Sequence, residues 1–184
     1  MKTRNFLFTS LLALASTVAA NAQTFDIEML KAQPVYSAEN GQGYDILAAP
    51  KAKSNAPFFY SVKVADGNYK VTVVLGSKKK AGKTVVRAEN RRLMLDEVST
   101  RKGEVKTFSF VVNKRSPYIT DKMNVKIKPR EKETFTWDEK LTLEFTGAAP
   151  AVKSIKVEPA PAETTTVLLC GNSTVVDQFT EPYA

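Results

Sequence analysis

The sequence predicts an all-β fold, an antiparallel β-sandwich or jelly roll. Short segments in which apolar and polar residues alternate recur along residues 24–158, and this is the period of a half-buried strand. Asp66-Gly67 stands between two such segments, where Asp-Gly is a strong turn signal. The chain after residue 22 shows no helical period. Eight or more short strands separated by turns are typical of a two-layer β fold.

Each predicted strand has its own alternating or apolar pattern. In the first, Phe25, Ile27 and Met29 share one face. The segments on either side of Asp66-Gly67 are expected to pair as an antiparallel hairpin with one buried face. In chain order, the predicted strands are residues 24–30, 58–64, 69–75, 84–88, 91–98, 105–113, 125–127, 141–145 and 154–158. Stretches rich in Gly, Pro or charged residues are predicted as loops: residues 34–47, 48–57, 76–83 and 114–123.

Residues 1–22 are predicted to be a cleaved secretory signal peptide. Lys2 and Arg4 form a basic start, residues 6–20 are apolar, and Ala20-Asn21-Ala22 fits a small-x-small cleavage site. The apolar stretch is short for a membrane span. We therefore expect a secreted protein, periplasmic or extracellular, with no membrane partner. The remaining chain divides into a sandwich domain (23–158), a Pro-Ala linker (159–163) and a C-terminal segment (164–184).

The charge balance is basic, with a formal net charge of +8, or +6 without Lys2 and Arg4. On a secreted protein this surplus favours an acidic polysaccharide over nucleic acid as partner, and the alternative is a solubility feature with no partner. Lys78-Lys79-Lys80 in a predicted loop has the same two interpretations, contact with uronic acid carboxylates or a solvated turn. The oligomeric state is not predicted.

Cysteine and histidine usage narrows the chemistry. Cys170 is the single cysteine, which excludes an internal disulfide, and it is interpreted as a small apolar residue rather than a nucleophile. The sequence has no histidine and no dense Asp/Glu loop of the calcium-binding type. It also has no glycine-rich phosphate loop. We therefore expect neither a metal nor a cofactor.

The C-terminal segment carries the strongest motif. Val167-Leu168-Leu169-Cys170 is continuously apolar, which predicts a short strand buried on both faces of a parallel sheet. Gly171-Asn172-Ser173-Thr174-Val175 follows, and a turn there would present a hydroxyl at the carboxyl end of that strand. Asp177-Gln178 and Glu181-Pro182-Tyr183-Ala184 come next. These blocks resemble the first motif of the GDSL, or SGNH, hydrolases and, within them, of the rhamnogalacturonan acetylesterases, with Asn172 in place of the usual Asp.

The resemblance implies a serine esterase that removes acetyl groups from pectic polysaccharide. In this family pattern Ser173 is the nucleophile and its N–H contributes to the oxyanion hole, with Gly171, Asn172 and Thr174 forming the motif around it. The family takes its activating Asp and His from later blocks, whereas this sequence has no histidine. A serine without a base in reach is an ordinary alcohol. We therefore expect an inactive, truncated N-terminal part of such an esterase, ending in the first strand of an α/β hydrolase domain.

The sandwich residues resemble the galactose-binding-like domain that precedes the hydrolase in bacterial rhamnogalacturonan acetylesterases. The stretches that carry this resemblance are residues 36–39, 43–44, 66–69, 88–89, 91–95, 128–131, 137–138 and 140–145. A non-catalytic carbohydrate-binding module is accordingly the alternative function. A structural spacer is a third hypothesis.

Aromatic residues in the predicted loops are the candidate sugar-binding residues, since the C–H face of a sugar stacks on a flat ring. Trp137, which adjoins Asp138, could form such a platform together with Tyr44, Tyr118 and Tyr36. For Trp137 the alternative is a core plug at the start of a strand, and its position beside an alternating run favours that alternative.

Overall fold

The computed structural model describes residues 23–29, 31–45, 56–89, 91–127, 129, 135, 137–169 and 171. Within them the chain forms eleven strands and no α-helix, which confirms the predicted all-β class. The strands are β1 (Phe25–Glu28), β2 (Gln42–Asp45), β3 (Phe58–Lys63), β4 (Gly67–Gly76), β5 (Gly82–Ala88), β6 (Arg92–Thr100), β7 (Val105–Lys114), β8 (Tyr118–Thr120), β9 (Met123–Asn124), β10 (Lys140–Ala149) and β11 (Val152–Pro159). The described residues include no helix long and apolar enough to cross a membrane. The predicted signal peptide lies outside them.

Two antiparallel sheets form the predicted β-sandwich. One sheet has four strands in the order β1-β11-β4-β7, and the other has five in the order β2-β3-β10-β5-β6. β4 and β7 pair over their full lengths, from Gly67 opposite Lys114 to Gly76 opposite Val105. β8 and β9 form a separate two-stranded ribbon.

The core lies between the two sheets, where the apolar faces of their strands meet. In β4 every second residue is buried, as the alternation predicts: Tyr69, Val71, Val73 and Leu75. From the other sheet, Phe58 stacks on Phe145 with ring centroids 5.0 Å apart. Each such apolar side chain contributes about 1.5–3 kcal/mol when it leaves water. The hydrophobic core of one domain therefore holds the two sheets together.

The hairpin predicted around Asp66-Gly67 is wrong in its pairing. β3 and β4 belong to different sheets, so residues 64–66 carry the chain from one layer to the other. The Asp66 carboxylate accepts hydrogen bonds from the Ser116 backbone N–H (2.7 Å) and hydroxyl (2.6 Å), which ties this turn to the segment after β7. The alternation correctly identified the buried face of each strand. The two faces lie opposite each other across the core rather than side by side.

Two predicted loops contain strands. Residues 34–47 include β2, an edge strand in which Tyr44 lies opposite Tyr60. Its sequence Gln-Gly-Tyr-Asp has a single apolar residue, so it offers no alternation to detect. Residues 114–123 include β8 and the start of β9. Conversely, residues 125–127 form no strand, and the Val125 N–H donates to the Pro117 carbonyl (2.7 Å).

The chain after β11 stays close to the sandwich for several residues. The Ala160 N–H donates to the Asn68 carbonyl (2.9 Å), and the Asn68 side-chain amide donates to the Thr166 hydroxyl (2.8 Å). Residues 167–169 are exposed and belong to no strand, so the buried strand predicted there is not formed within the described part of the chain. No strand among the described residues pairs with them. Cys170 and residues 172–184 lie outside the described part of the chain.

Candidate functional site

Several connections meet around an open pocket at one end of the sandwich, here called the pocket end. β3 ends there, and β10 begins there, since Lys140 lies opposite Lys63. β2 also begins there, since Gln42 lies opposite Val62. Residues 38–41 and residues 63–65 line the pocket together with Glu139. Three chain segments that are far apart in sequence therefore form one concave surface.

The loop of residues 37–41 is held by the side chain of Asn40. Its Oδ1 accepts hydrogen bonds from the Ser37 N–H (3.0 Å) and the Gln42 N–H (3.1 Å). Its Nδ2 donates to the Val35 carbonyl (2.8 Å). Asparagine commonly closes turns in this way. Because one side chain bridges both ends of the loop, the pocket wall is largely pre-formed.

Gly43 lets the chain before this loop pack directly against β2. A Cβ atom at Gly43, which has φ +152°, would lie 2.5 Å from the Tyr36 nitrogen. The close approach allows Tyr36 N–H to donate to the Tyr44 carbonyl, and Tyr44 N–H to donate to the Pro34 carbonyl, both at 2.8 Å. Glycine is required because any side chain would separate the two segments.

The pocket has a volume of about 490 Å³ and a charged lining. Glu39 and Glu139 supply carboxylates, Lys63 supplies an ammonium group, and Asn40 and Gln23 supply amides. The Lys63 Nζ also donates to the Ala38 carbonyl (3.3 Å), so this cation is fixed at the rim of the loop. The lining therefore offers both hydrogen-bond acceptors and donors to a polar ligand.

The electrostatics of the pocket are slightly negative. A hydrogen bond from the Ser37 hydroxyl lowers the pKa of Glu39 below its ordinary value, so its carboxyl is ionised at neutral pH. Two carboxylates against one ammonium give the three charged side chains a formal charge of −1. A neutral polyhydroxylated ligand suits this lining better than an anion, which would be repelled by the two carboxylates.

Tyr36 connects Glu139 to the outer face of the five-stranded sheet. Its hydroxyl donates to Glu139 Oε1 (3.3 Å), and burial together with the charge of Glu139 raises the pKa of Tyr36. The Lys140 Nζ lies 4.8 Å from the centroid of the Tyr36 ring and pairs with the Asp45 carboxylate. A cation above an aromatic ring is a favourable contact. Tyr36 is thus a positioning group for Glu139 rather than a free stacking surface.

The aromatic residues predicted to form a sugar-binding platform do not lie together at the pocket. Tyr44 is 7% exposed and lies in β2, with the rings of Phe58 and Tyr60 packed edge-to-face on it at 5.8 and 5.5 Å. Its prediction as a sugar-stacking loop residue is therefore wrong, because its ring belongs to the core. Tyr118 is 71% exposed and lies in β8, outside the pocket lining. Trp137 is half-buried, two residues before Glu139.

A second group of titratable side chains is buried at the pocket end. Glu89 is 5% exposed, and its carboxyl accepts the Thr142 N–H (3.0 Å). Lys114 is 2% exposed, and its Nζ donates to Asp66 Oδ1 (3.0 Å). Burial raises the pKa of Glu89 to about 8, although the Thr142 N–H bond and the positive charges of Arg92 and Lys114 oppose the rise. The hydrogen bonds of these buried groups order the connections behind the pocket.

Backbone strain also concentrates at this end. Among the described residues, the non-glycine positions in the left-handed region are Glu89 (φ 52°), Arg91 (φ 68°) and Trp137 (φ 66°). All three belong to connections that enter β6 or β10 at the pocket end. Non-glycine residues take this conformation where surrounding contacts impose it, and such positions are concentrated at functional sites.

The predicted hydrolase motif lies almost entirely outside the described residues. The residues outside the described part include Ser173, Asn172 and Thr174. Gly171 is described, and it is exposed. In the part of the chain that the structure describes, no three His, Cys, Asp or Glu side chains are grouped to hold a metal ion.

The pocket could not be predicted from the sequence, because its three charged residues lie 24 or more positions apart from one another. The family resemblance includes residues 36–39, and the Asn-Gly-Gln-Gly stretch at 40–43 is the sequence signal for a tight, ordered loop.

No protein-family model and no curated protein matches the chain. Among solved structures, it is similar to protein YxiM from Bacillus subtilis, with 18% sequence identity, a TM-score of 0.36, and coverage of 78% of this chain and 31% of that one. It is also similar to a family 35 carbohydrate-binding module from Clostridium thermocellum, with 12% identity, a TM-score of 0.32, and coverage of 71% of this chain and 100% of that one. Likenesses this distant carry no argument about function, which must come from the residues of this chain.

Proposed function

We propose that the β-sandwich is a non-catalytic carbohydrate-binding module whose ligand occupies the pocket at the pocket end. The observation that carries this proposal is the open pocket of about 490 Å³ lined by Glu139, by Lys63 and by Glu39, the last of which lies on an ordered loop. Sugar hydroxyls both donate and accept hydrogen bonds. A carboxylate accepts from two neighbouring hydroxyls, and an ammonium group donates to a third.

The lining supports binding rather than reaction. The residues that the structure places around the pocket include no Ser, Thr, Cys or His that could act as a nucleophile. A glycosidase pair would need one carboxyl group with a raised pKa to protonate the leaving group. The pKa of Glu39 is lowered instead. The pocket thus supplies recognition without a catalytic acid at this position.

Within the carbohydrates, the pocket favours a neutral sugar residue. The formal charge of −1 on Glu39, Glu139 and Lys63 disfavours a uronic acid at this position. We propose neutral residues of pectic polysaccharide, such as galactose or rhamnose, as the ligand class. Among the predicted aromatic residues, Trp137 stands two positions before Glu139 in the sequence, and its side chain is half-exposed.

Calorimetric titration of the purified chain with galactose- and rhamnose-bearing oligosaccharides tests this proposal. Glu139→Gln should weaken binding about tenfold or more, because it replaces a charge-assisted hydrogen bond by a neutral one. Glu97→Gln is the matched control, since Glu97 is an exposed β6 residue paired with Lys83 outside the pocket. Absence of binding to any of these glycans, or equal effects of the two variants, would refute the proposal.

Esterase activity is a second candidate, and the motif at residues 171–184 is the observation that favours it. We propose Ser173 as the nucleophile of that activity when a base is supplied by another polypeptide segment. Because the sequence has no histidine, we expect no release of acetate from acetylated pectin by this chain alone. If this chain alone releases acetate and Ser173→Ala abolishes the release, then Ser173 needs no histidine from another polypeptide segment.

Export from the cytoplasm is proposed from the pattern of residues 1–22. Expression in a bacterial host with an intact secretion system should yield a mature product that begins at Gln23. Mass spectrometry of the product measures this directly, and a retained, full-length cytoplasmic chain would contradict it.

A further inference from the structure

The end of the sandwich opposite the pocket is formed by two basic loops, residues 77–81 and 101–104, here called the basic end. The first loop joins β4 to β5 and the second joins β6 to β7. Gly82 lies opposite Thr100 and Gly76 lies opposite Val105, so both loops cross between the sheets at the same place. The Gly103 N–H donates to the Ser77 carbonyl (2.9 Å), which joins the two loops directly.

These loops carry a dense positive charge. Their basic residues are Lys78, Lys79, Lys80, Arg101 and Lys102, and their acidic residue is Glu104. One oxygen of the Glu104 carboxylate accepts the Arg101 N–H (2.7 Å), and the other lies 3.7 Å from Lys106. Lys78, Lys79 and Lys102 are exposed, and none of them forms an ion pair with another described residue. Their charge is available to a ligand.

We infer that the basic end is a second binding surface, which takes an anionic polysaccharide of the polyuronate type through Lys78, Lys79 and Lys102. Exposed ammonium groups on two adjoining loops match carboxylates repeated along a polymer, because such contacts need charge and reach rather than a shaped cavity. This inference stands apart from the pocket, whose own lining is negative.

The composition of the two loops favours a polysaccharide over other anionic partners. Single-stranded nucleic acids are bound by stacking on aromatic rings in addition to cations. Amphipathic segments that bind a membrane surface insert apolar side chains among the lipids. The two loops contain no aromatic residue and no large apolar residue. A surface of lysine and arginine without such groups fits a hydrated polyanion.

The two surfaces are far enough apart to act independently. β4 runs from the pocket end to the basic end over ten residues, or roughly 30 Å at the rise of an extended strand. A short oligosaccharide in the pocket therefore does not reach the basic end. A long chain that carries both neutral and acidic residues could contact both, which raises its apparent affinity.

The test is the binding of polygalacturonate to the full chain at several salt concentrations, compared with the triple variant Lys78→Gln, Lys79→Gln, Lys102→Gln. Each exposed ion pair changes affinity by up to about fivefold, so the triple variant should bind roughly tenfold more weakly at low salt. The dependence of its affinity on salt should also be shallower.

A matched control removes three lysines elsewhere: Lys70→Gln, Lys122→Gln, Lys126→Gln. Lys70 is near the pocket end of β4 and pairs with Glu158, and the other two belong to the segment after β7. The control has the same net charge as the test variant and should bind polygalacturonate nearly as well as the parent chain.

Equal weakening in the test and control variants would overturn the inference, because total charge would then be responsible. Tighter binding of a DNA duplex or of phosphatidylglycerol vesicles than of polygalacturonate would also overturn it, in favour of another polyanion. Binding of neutral oligosaccharides by the test variant separates the two sites. If the triple variant binds both neutral oligosaccharides and polygalacturonate as the parent chain does, the inference about the basic end is wrong and the proposed pocket site is unaffected.

Discussion

Replacement of Glu89 by Gln should remove a large pH dependence from the stability of the sandwich. Burial raises the pKa of Glu89 to about 8 in the folded chain, against an ordinary value of 4.5. Between these two values the folded state keeps a proton that the unfolded state has released. Stability contributed by the protonated carboxyl is therefore full below pH 4.5 and falls as the pH rises toward 8.

The expected size of this effect follows from the pKa shift. One unit of pKa difference corresponds to about 1.4 kcal/mol, so unfolding free energy should fall by about 3 kcal/mol between pH 5 and pH 8 through Glu89 alone. Glu89→Gln keeps an acceptor for the Thr142 N–H, which lies 3.0 Å from the Glu89 carboxyl oxygen. The variant should match the parent chain near pH 5 and exceed its stability at pH 8.

The assay is urea denaturation at pH 5, 6, 7 and 8 for the parent chain, Glu89→Gln and the exposed control Glu97→Gln. The difference between the parent and Glu89→Gln should grow with pH, while the difference for Glu97→Gln should stay nearly constant. Parallel pH profiles for the parent chain and Glu89→Gln would refute the reasoning, since they would show that burial does not hold the proton on Glu89.

Two further predictions concern stability. Gly147→Ala should cost about 3 kcal/mol or more, because Gly147 has φ +106° and an added Cβ would lie 2.5 Å from the Lys83 carbonyl oxygen. Gly103→Ala should cost about 1 kcal/mol, since Gly103 has φ +85° but open space around it. Equal losses of stability for Gly147→Ala and Gly103→Ala in thermal denaturation would contradict this ranking. Asp66→Ala should cost about 3 kcal/mol in urea denaturation, because it leaves the buried Lys114 ammonium without its carboxylate, 3.0 Å away. Ser116→Ala, which keeps that ion pair, should cost about 1 kcal/mol, and equal costs would show that the buried charge is not what matters.

The strands themselves were predictable wherever their pattern is local. β4 and β10 alternate over five or more residues, and their buried faces are those that the alternation predicts. A side chain in a strand points to the face opposite that of its neighbour whatever the strand pairs with. β2 could not be predicted in this way, because its single apolar residue, Tyr44, gives no period. The burial of Tyr44 depends on Phe58 and Tyr60.

The pairing partners and the pocket were set by tertiary structure. Asp66-Gly67 marks a turn in the sequence equally well whether the chain continues in the same sheet or crosses to the other one. Glu39, Lys63 and Glu139 become neighbours only because β2, β3 and β10 adjoin at one end of a sheet. Likewise, the two basic loops meet because β5 pairs with β6 and β4 pairs with β7.

The amino-acid sequence alone established the all-β class, most strand positions and the basic character of the loop at residues 77–81, since each depends on residues that are close together in the chain. Strand order, the position of Tyr44 in the core and the separation of a negative pocket from a positive opposite end came from packing. The physical reason is that backbone hydrogen bonds between strands join distant residues and are nearly indifferent to side-chain identity, so local patterns do not encode them.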